Sequence, residues 1–424
     1  FIDTLMVGRL GNEALAGIAL GGTVSGFVLL VFSGVLLAVA PSVSQAYGGK
    51  RPLEAAQAAR QGLWLALALP WPALALFSYS EGLLLWLGQE PQTAELAGRY
   101  LRALRWGLLP AFGWVALRGL LEGLAVTRPI LILSLLGVLL NIVFNNALMF
   151  GRWGLPALGI VGTGYATSLV HTLVFLAGAL YVLRALPDYR LFGPGLAPWP
   201  QAKTLLELLR VGVPIALTLG FEVSMFAATA LLMGLLGAVP LAAHQIALQS
   251  ASITFMVPLG LAIATSVRVG QAAGRGDRAG ARRAGLSGVL ASLVAMSLSA
   301  LLFWLRPELV IGLYLEPGDP ANRAVVQLAS AFLALAAAFQ LFDGLQVSSA
   351  GALRGLKDTR VPMLITLVSY WGVGLSSGAL LCFGLGWGGR GLWCGLVLGL
   401  FTASLLLFGR FWRQTRARDS SWCR

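Results

Sequence analysis

Glu13–Lys50 reads EALAGIALGGTVSGFVLLVFSGVLLAVAPSVSQAYGGK, with 36 uncharged residues between its two charged ends. About 20 apolar residues in a helix cross the hydrocarbon core of a bilayer, so this stretch is long enough to span a membrane. Two other stretches repeat the pattern: 23 uncharged residues separate Arg128 from Arg152, and 45 separate Glu222 from Arg268. Of the 424 residues, 58% are apolar and 11% charged, and the mean hydropathy is +0.81. Soluble domains are about 45–50% apolar and about 25% charged. The composition excludes a set of soluble domains and fits an all-α polytopic membrane protein.

Apolar runs place spans at Gly17–Ala40, Gly62–Tyr79, Trp106–Leu124, Ile130–Phe150, Leu158–Leu183, Val211–Leu236, Leu241–Val267, Gly285–Leu305, Val325–Leu353, Val361–Leu385 and Gly391–Phe411. Phe1–Val7 has no charged leader and no initiator Met, so it reads as the end of a twelfth helix that begins before Phe1. The Trp106–Leu124 span is the weakest, because only 12 residues separate Arg105 from Arg118; their side chains must reach toward the interfaces.

The net charge is +13, and 27 of the 30 basic residues are Arg. A nucleic-acid partner is excluded by their placement in short loops between apolar runs rather than on one face. On alternate sides of the spans, 22 of these residues fall with Lys50, Arg118 and the tail, and 8 fall opposite. The richer side is expected in the cytoplasm, which puts both termini there. Cys382, Cys394 and Cys423 have neither disulfide-framework nor zinc spacing.

Residues 184–203 carry Pro187, Pro194, Pro198 and Pro200 and break the helical pattern. They act as a linker between an N-terminal six-helix lobe, 1–183, and a C-terminal one, 204–412, with a basic tail over 413–424. The halves are repeats. At a shift of 226, Gly8, Gly11, Gln45 and Gly48 fall on Gly234, Gly237, Gln271 and Gly274. At a shift of 232, Gly119, Gly123, Thr127 and Arg128 fall on Gly351, Gly355, Thr359 and Arg360. Six helices is an even number, so both copies insert the same way up and are expected to be related by a pseudo-twofold axis along the membrane normal, an architecture of alternating-access transporters.

Three carboxylates stand inside spans: Asp3, Glu222 and Asp343. A charge at the bilayer centre costs about 2.5–3.5 kcal/mol on insertion scales, and no Lys or Arg lies within a helical turn of Glu222 or Asp343. Burial favours the protonated form of a carboxyl group, so such acids can take up and release a proton, or coordinate Na⁺ with polar neighbours. Gln340 and Gln346 flank Asp343 at i−3 and i+3, and Thr218, Met225 and Phe226 lie near Glu222, with Thr229 at i+7. Acid, thioether and aromatic ring together suit an amphipathic cation. Asn141 and Asn145 form an i, i+4 amide pair that serves either the site or interhelical hydrogen bonding. Gly17, Gly21 and Ser25 form a small-residue packing row, Pro214 and Pro258 sit inside helices, Arg118–Glu122 pairs at a membrane edge, and His244 is expected at an interface near a helix start.

The stretches Phe1–Gly11, Leu219–Val223, Ala242–Gln245, Ser266–Gly270 and Ala350–Asp358 resemble, in order and over nearly the whole chain, the multidrug and toxic compound extrusion (MATE) family, most closely its bacterial NorM-like branch. The resemblance implies two six-helix lobes around a central cleft, working as a monomer in the bacterial plasma membrane. It implies antiport: organic cations and drugs leave in exchange for Na⁺ or H⁺, with no cofactor. It carries Asp3 over as the first-lobe cation acid with Asn141 and Asn145 as companions. Glu222 and Asp343 become the second-lobe pair, which holds the metal ion if Na⁺ is the coupling ion. Some members place a tyrosine one turn before the second acid; here that position is Phe339.

The rival function is a flippase for lipid-linked oligosaccharides, which needs Arg or Lys deep in the cleft. An intramembrane metalloprotease lacks its His-Glu-x-x-His, since the only histidines are His171 and His244. An aspartyl protease lacks Gly-x-Gly-Asp, because Asp343 follows Phe342.

Overall fold

In the computed structural model a short helix, α1 (Ile2–Val7), and one 3₁₀ turn bring the chain to Gly11. Gly11 has φ 111°, a conformation that a side chain opposes. From it the chain enters α2 (Asn12–Leu36), and α3 (Val39–Gly48) continues nearly in line. The helix breaks between them because Pro41 has no N–H to give to the carbonyl of Leu37. There follow α4 (Pro52–Ala68), α5 (Pro70–Ser78), α6 (Ser80–Trp86), α7 (Pro91–Leu104), α8 (Leu108–Gly123), α9 (Arg128–Leu148) and α10 (Gly159–Ala185). The second half holds α11 (Ala202–Leu235), α12 (Ala238–Gly274), α13 (Arg278–Leu305), α14 (Pro307–Ile311), α15 (Arg323–Gly355), α16 (Arg360–Leu367), α17 (Ser376–Ala379) and α18 (Gly389–Arg416). Two π-helical segments, Val368–Leu375 and Leu380–Gly384, flank α17.

The structure describes residues 2–189, 191 and 199–416, and no strand occurs among them. Phe1, Arg190, the linker prolines Pro194 and Pro198, Cys423 and the tail from 417 onward lie outside the described residues.

Among the described residues, ten helical stretches are long and apolar enough to cross a membrane. The remaining two of the expected twelve places are α1 and α8. Helix α8 has only 16 residues and runs on from α7 through a 3₁₀ turn at Arg105–Gly107. Arg118 in α8 pairs with Glu122 at 2.7 Å, as expected. Apolar side chains face outward: Leu131, Ile132, Leu135 and Leu139 on α9 are 58–62% exposed. That arrangement is stable only in lipid. Trp86, Trp106, Trp153, Trp304 and Trp387 are exposed at or beyond helix ends, where amphipathic rings sit at the headgroup level.

The chain forms two compact units, Phe1–Ala216 and Leu217–Arg424. Their boundary falls inside α11. The far end of the linker is held by the first unit: the backbone N–H of Gln201 donates to Gln61 Oε1 at 3.0 Å, and Gln57 hydrogen-bonds Gln201 and Thr204.

The duplication appears in the backbone. Gly11 and Gly237, 226 residues apart, have φ of 111° and 112°, and each precedes a long helix. Lys50 and Gly276, at the same shift, both lie in the left-handed region, as do Ala125 and Lys357 at a shift of 232. Three non-helical turns thus recur at the two offsets that align the sequence. Within the first unit, a Cβ on Gly21 would lie 2.8 Å from the Tyr100 ring of α7, so the predicted small-residue row is where α2 and α7 meet. Within the second, a Cβ on Gly351 would lie 2.5 Å from the Ala262 carbonyl oxygen of α12, which fixes the close approach of α12 and α15.

Candidate functional site: an acid network in each unit

In the first unit, Asp3 projects from α1 toward α9 and α10. Asn145 Nδ2 donates to Asp3 Oδ1 at 2.7 Å, and Thr167 Oγ1 donates to Asp3 Oδ2 at 3.1 Å. The ring closes because Asn145 Nδ2 also donates to Asn141 Oδ1 at 3.1 Å and Asn141 Nδ2 to Thr167 Oγ1 at 3.3 Å. The i, i+4 spacing of the two asparagines puts both amides on one face of α9, so the pair belongs to the acid network. Asn145 is fully buried, and its Oδ1 has no hydrogen-bond partner. No cation pairs with Asp3 among the described residues.

The network borders a cavity of about 430 Å³ lined by Asp3, Asn141, Ser134, Trp114 and His171, with apolar walls from α9 and α10. Sequence reasoning missed Thr167, Trp114 and His171. Thr163, Thr167 and His171 recur every four residues, a polar stripe on one helix face that could have been read. The His171 imidazole faces the same cavity as the acid.

In the second unit the Phe226 and Phe339 rings meet at 6.1 Å. Phe226 follows Glu222 by one turn and Phe339 precedes Asp343 by one turn, so this contact joins the two acid-bearing helices, α11 and α15. Asp343 is 6% exposed, and its carboxyl group makes no hydrogen bond or ion pair among the described residues. Glu222 and Asp343 act electrostatically on each other and on Tyr370, and Arg354 acts on Glu222. No Lys or Arg stands within one helical turn of either acid in the sequence, and the electrostatic influence on Glu222 comes from Arg354 on α15, another helix. Tyr370 is the second missed residue. It is buried in a π-helical segment, a distortion frequent at functional sites, and its phenol lies within the electrostatic influence of both acids.

The polar residues around the acids divide. Gln340 Nε2 donates to Thr254 Oγ1 of α12 at 2.5 Å, while Gln340 Oε1 and Gln346 Oε1 are buried without partners. Thr229 donates to the carbonyl of Met225 in its own helix. Met225 is buried and Thr218 half-buried. His244 is corrected from interfacial to core: it is 0% exposed, neither ring nitrogen has a hydrogen-bond partner, and it meets Trp393 edge-on at 5.7 Å. Trp393 also contacts Phe332 and Phe339, so the aromatic contacts run from His244 to the acid-bearing helices. Among the described residues, no three His, Cys, Asp or Glu side chains cluster as a metal site.

Residues 1–146 and 214–380 match the MatE family. A Mesorhizobium japonicum protein named probable multidrug resistance protein NorM is 44% identical over 419 residues, 98% of this chain and 89% of that one. A protein of the same name from Pseudomonas aeruginosa is 42% identical over 98% of this chain and 86% of its own length. The crystal structure of MATE in the bent conformation superposes with TM-score 0.90 at 20% identity, covering 100% of this chain and 92% of that chain. The eukaryotic MATE transporter AtDTX14 gives TM-score 0.83 at 22% identity, covering 98% and 93%.

Proposed function

This chain belongs to the MatE family, and on that premise we propose that it exports amphipathic organic cations in exchange for Na⁺ or H⁺. It is a multi-pass membrane transporter of the multidrug efflux class, not an enzyme. The observation that carries the antiport reading is Asp3: a carboxyl group beside a cavity, held by two neutral donors and paired with no cation among the described residues.

A carboxylate in that setting is stabilised by whichever cation reaches it. An organic cation gains the charge of Asp3 and the face of Trp114, a ring suited to cation–π contact. A proton gains the carboxylate alone. Na⁺ gains the carboxylate and the unpartnered Asn145 Oδ1, a hard oxygen donor. Occupancy by one cation excludes the other, and exclusion of this kind couples two fluxes when the cavity opens alternately to each side of the membrane. Glu222 and Asp343 act as a second station of the same type in the other unit. The arginine distribution supports cytoplasmic termini in a bacterial plasma membrane. A lipid-linked pyrophosphate is a poor fit, because the cavity carries an acid and no Lys or Arg.

The test is competitive binding to purified protein. A fluorescent organic cation is released by Na⁺ or by acid from the wild type, and Asp3→Asn weakens its binding and abolishes the release. If a neutral isostere binds as tightly as the cation, and Asp3→Asn leaves both unchanged, the reading fails.

A further inference from the structure

In the second unit, α16 and α18 leave a groove of about 320 Å³. Its walls are Val361 and Ile365 on α16 and Leu405 and Leu406 on α18, and the last two are about half exposed. Its floor is open at Gly409, where a Cβ would meet no atom within 4 Å. Arg410, Arg413 and Gln414 close one end.

These polar residues are not equivalent. Arg410 Nε donates to Asp358 Oδ2 at 2.5 Å, and Gln414 Nε2 donates to the same oxygen at 2.7 Å. Those bonds tie α18 to the turn before α16 and neutralise Arg410. Arg413 is exposed and makes no ion pair or hydrogen bond among the described residues. It is the one uncompensated charge among the lining residues, at the end of an otherwise apolar trough.

The level of this end in the bilayer is marked independently. Trp412 stacks on Phe408 at 6.2 Å and carries the Arg282 guanidinium over its ring at 5.6 Å, a pairing suited to the membrane–water interface. Eight residues separate Leu405 from Arg413, which at the α-helical rise is ~12 Å. The groove therefore runs from the headgroup level into the hydrocarbon.

We propose that this groove binds one anionic phospholipid, its phosphate at Arg413 and one acyl chain along Val361, Ile365, Leu405 and Leu406. Charge complementarity selects an anionic lipid, because a zwitterionic headgroup brings its own cation to a site that already holds one. The apolar walls select a lipid over a soluble phosphate. Basic pockets between membrane helices bind anionic headgroups on this principle.

The experiment uses the whole delipidated protein in detergent, titrated with phosphatidylglycerol, phosphatidylcholine or glycerol 3-phosphate and read by native mass spectrometry. Phosphatidylglycerol is expected to be retained most strongly. Arg413→Gln should weaken it by about fivefold, the worth of one arginine near an anionic surface. Gly409→Phe should fill the groove and displace the lipid; a Cβ at this position meets no atom within 4 Å, and a lipid-free melting temperature close to the wild type is the check that the fold is kept. Equal retention of phosphatidylcholine, or unchanged retention in both variants, would overturn the proposal. Binding of glycerol 3-phosphate as tight as that of the lipid would also overturn it, by reducing the site to a soluble-anion site.

Discussion

Replacing Asp343 by leucine separates a functional acid from a structural one by the sign of a single measurement. Asp343 is 6% exposed, and its carboxyl group has no hydrogen bond or ion pair among the described residues. A polar group buried without a partner costs about 1–3 kcal/mol in mutational data, and Asp343→Leu removes that cost on the same branched skeleton. In a unit of about 200 residues each kcal/mol moves the melting temperature by about 2–4 °C. The variant should therefore melt about 2–12 °C above the wild type, by the ranges just given. The assay is intrinsic tryptophan fluorescence in detergent, since Trp393 contacts Phe339 one turn from the acid. Ion-driven transport in liposomes should be lost in the same variant. Had the acid been one half of a buried ion pair, its removal would strand the partner and cost about 3–5 kcal/mol. A melting temperature that falls by several degrees refutes the reasoning and makes Asp343 a structural residue.

Other outcomes follow from the same geometry. Thr167→Val keeps shape but removes one hydrogen bond to Asp3; bonds to charged groups contribute about 1.5–3 kcal/mol, so the affinity for a fluorescent organic cation should drop by roughly tenfold or more in equilibrium titration. An unchanged affinity would take Thr167 out of the network's function. His244→Phe removes two unpartnered ring nitrogens from an aromatic cluster and should raise the melting temperature while transport persists; lost transport in a well-folded variant would assign His244 a working role. Gly351→Val forces a side chain against the Ala262 carbonyl and should destabilise by about 1–3 kcal/mol, the usual overpacking cost. Unchanged thermal stability there would contradict the close α12–α15 approach.

Most of the architecture was legible because membrane spans are written as long apolar runs, and the lipid reference makes each run nearly self-sufficient. The weakest expected span, Trp106–Leu124, became the 16-residue α8, with Arg105 in the 3₁₀ turn before it and Arg118 inside it, paired with Glu122. The repeat was legible through its glycines, because Gly11 and Gly237 hold a backbone conformation that other residues resist. The acids were legible from the cost of burying charge. Their surroundings were less so: Thr167 carries no charge and stands out only as part of a four-residue stripe. Tyr370 and Arg354 reach the acids through tertiary structure, at separations no local pattern encodes. His244 was misplaced because its position near the start of a span looked interfacial, whereas its packing on Trp393 depends on a residue 149 positions away.

The most direct test of the central claim is efflux of a fluorescent organic cation from proteoliposomes under an imposed Na⁺ gradient and, separately, an imposed pH gradient. The wild type should respond to one of the two gradients. A variant carrying Asp3→Asn, Glu222→Gln and Asp343→Asn together should respond to neither. Gradient-driven efflux that survives in the triple variant would contradict the account, because the coupling would then reside outside these three acids.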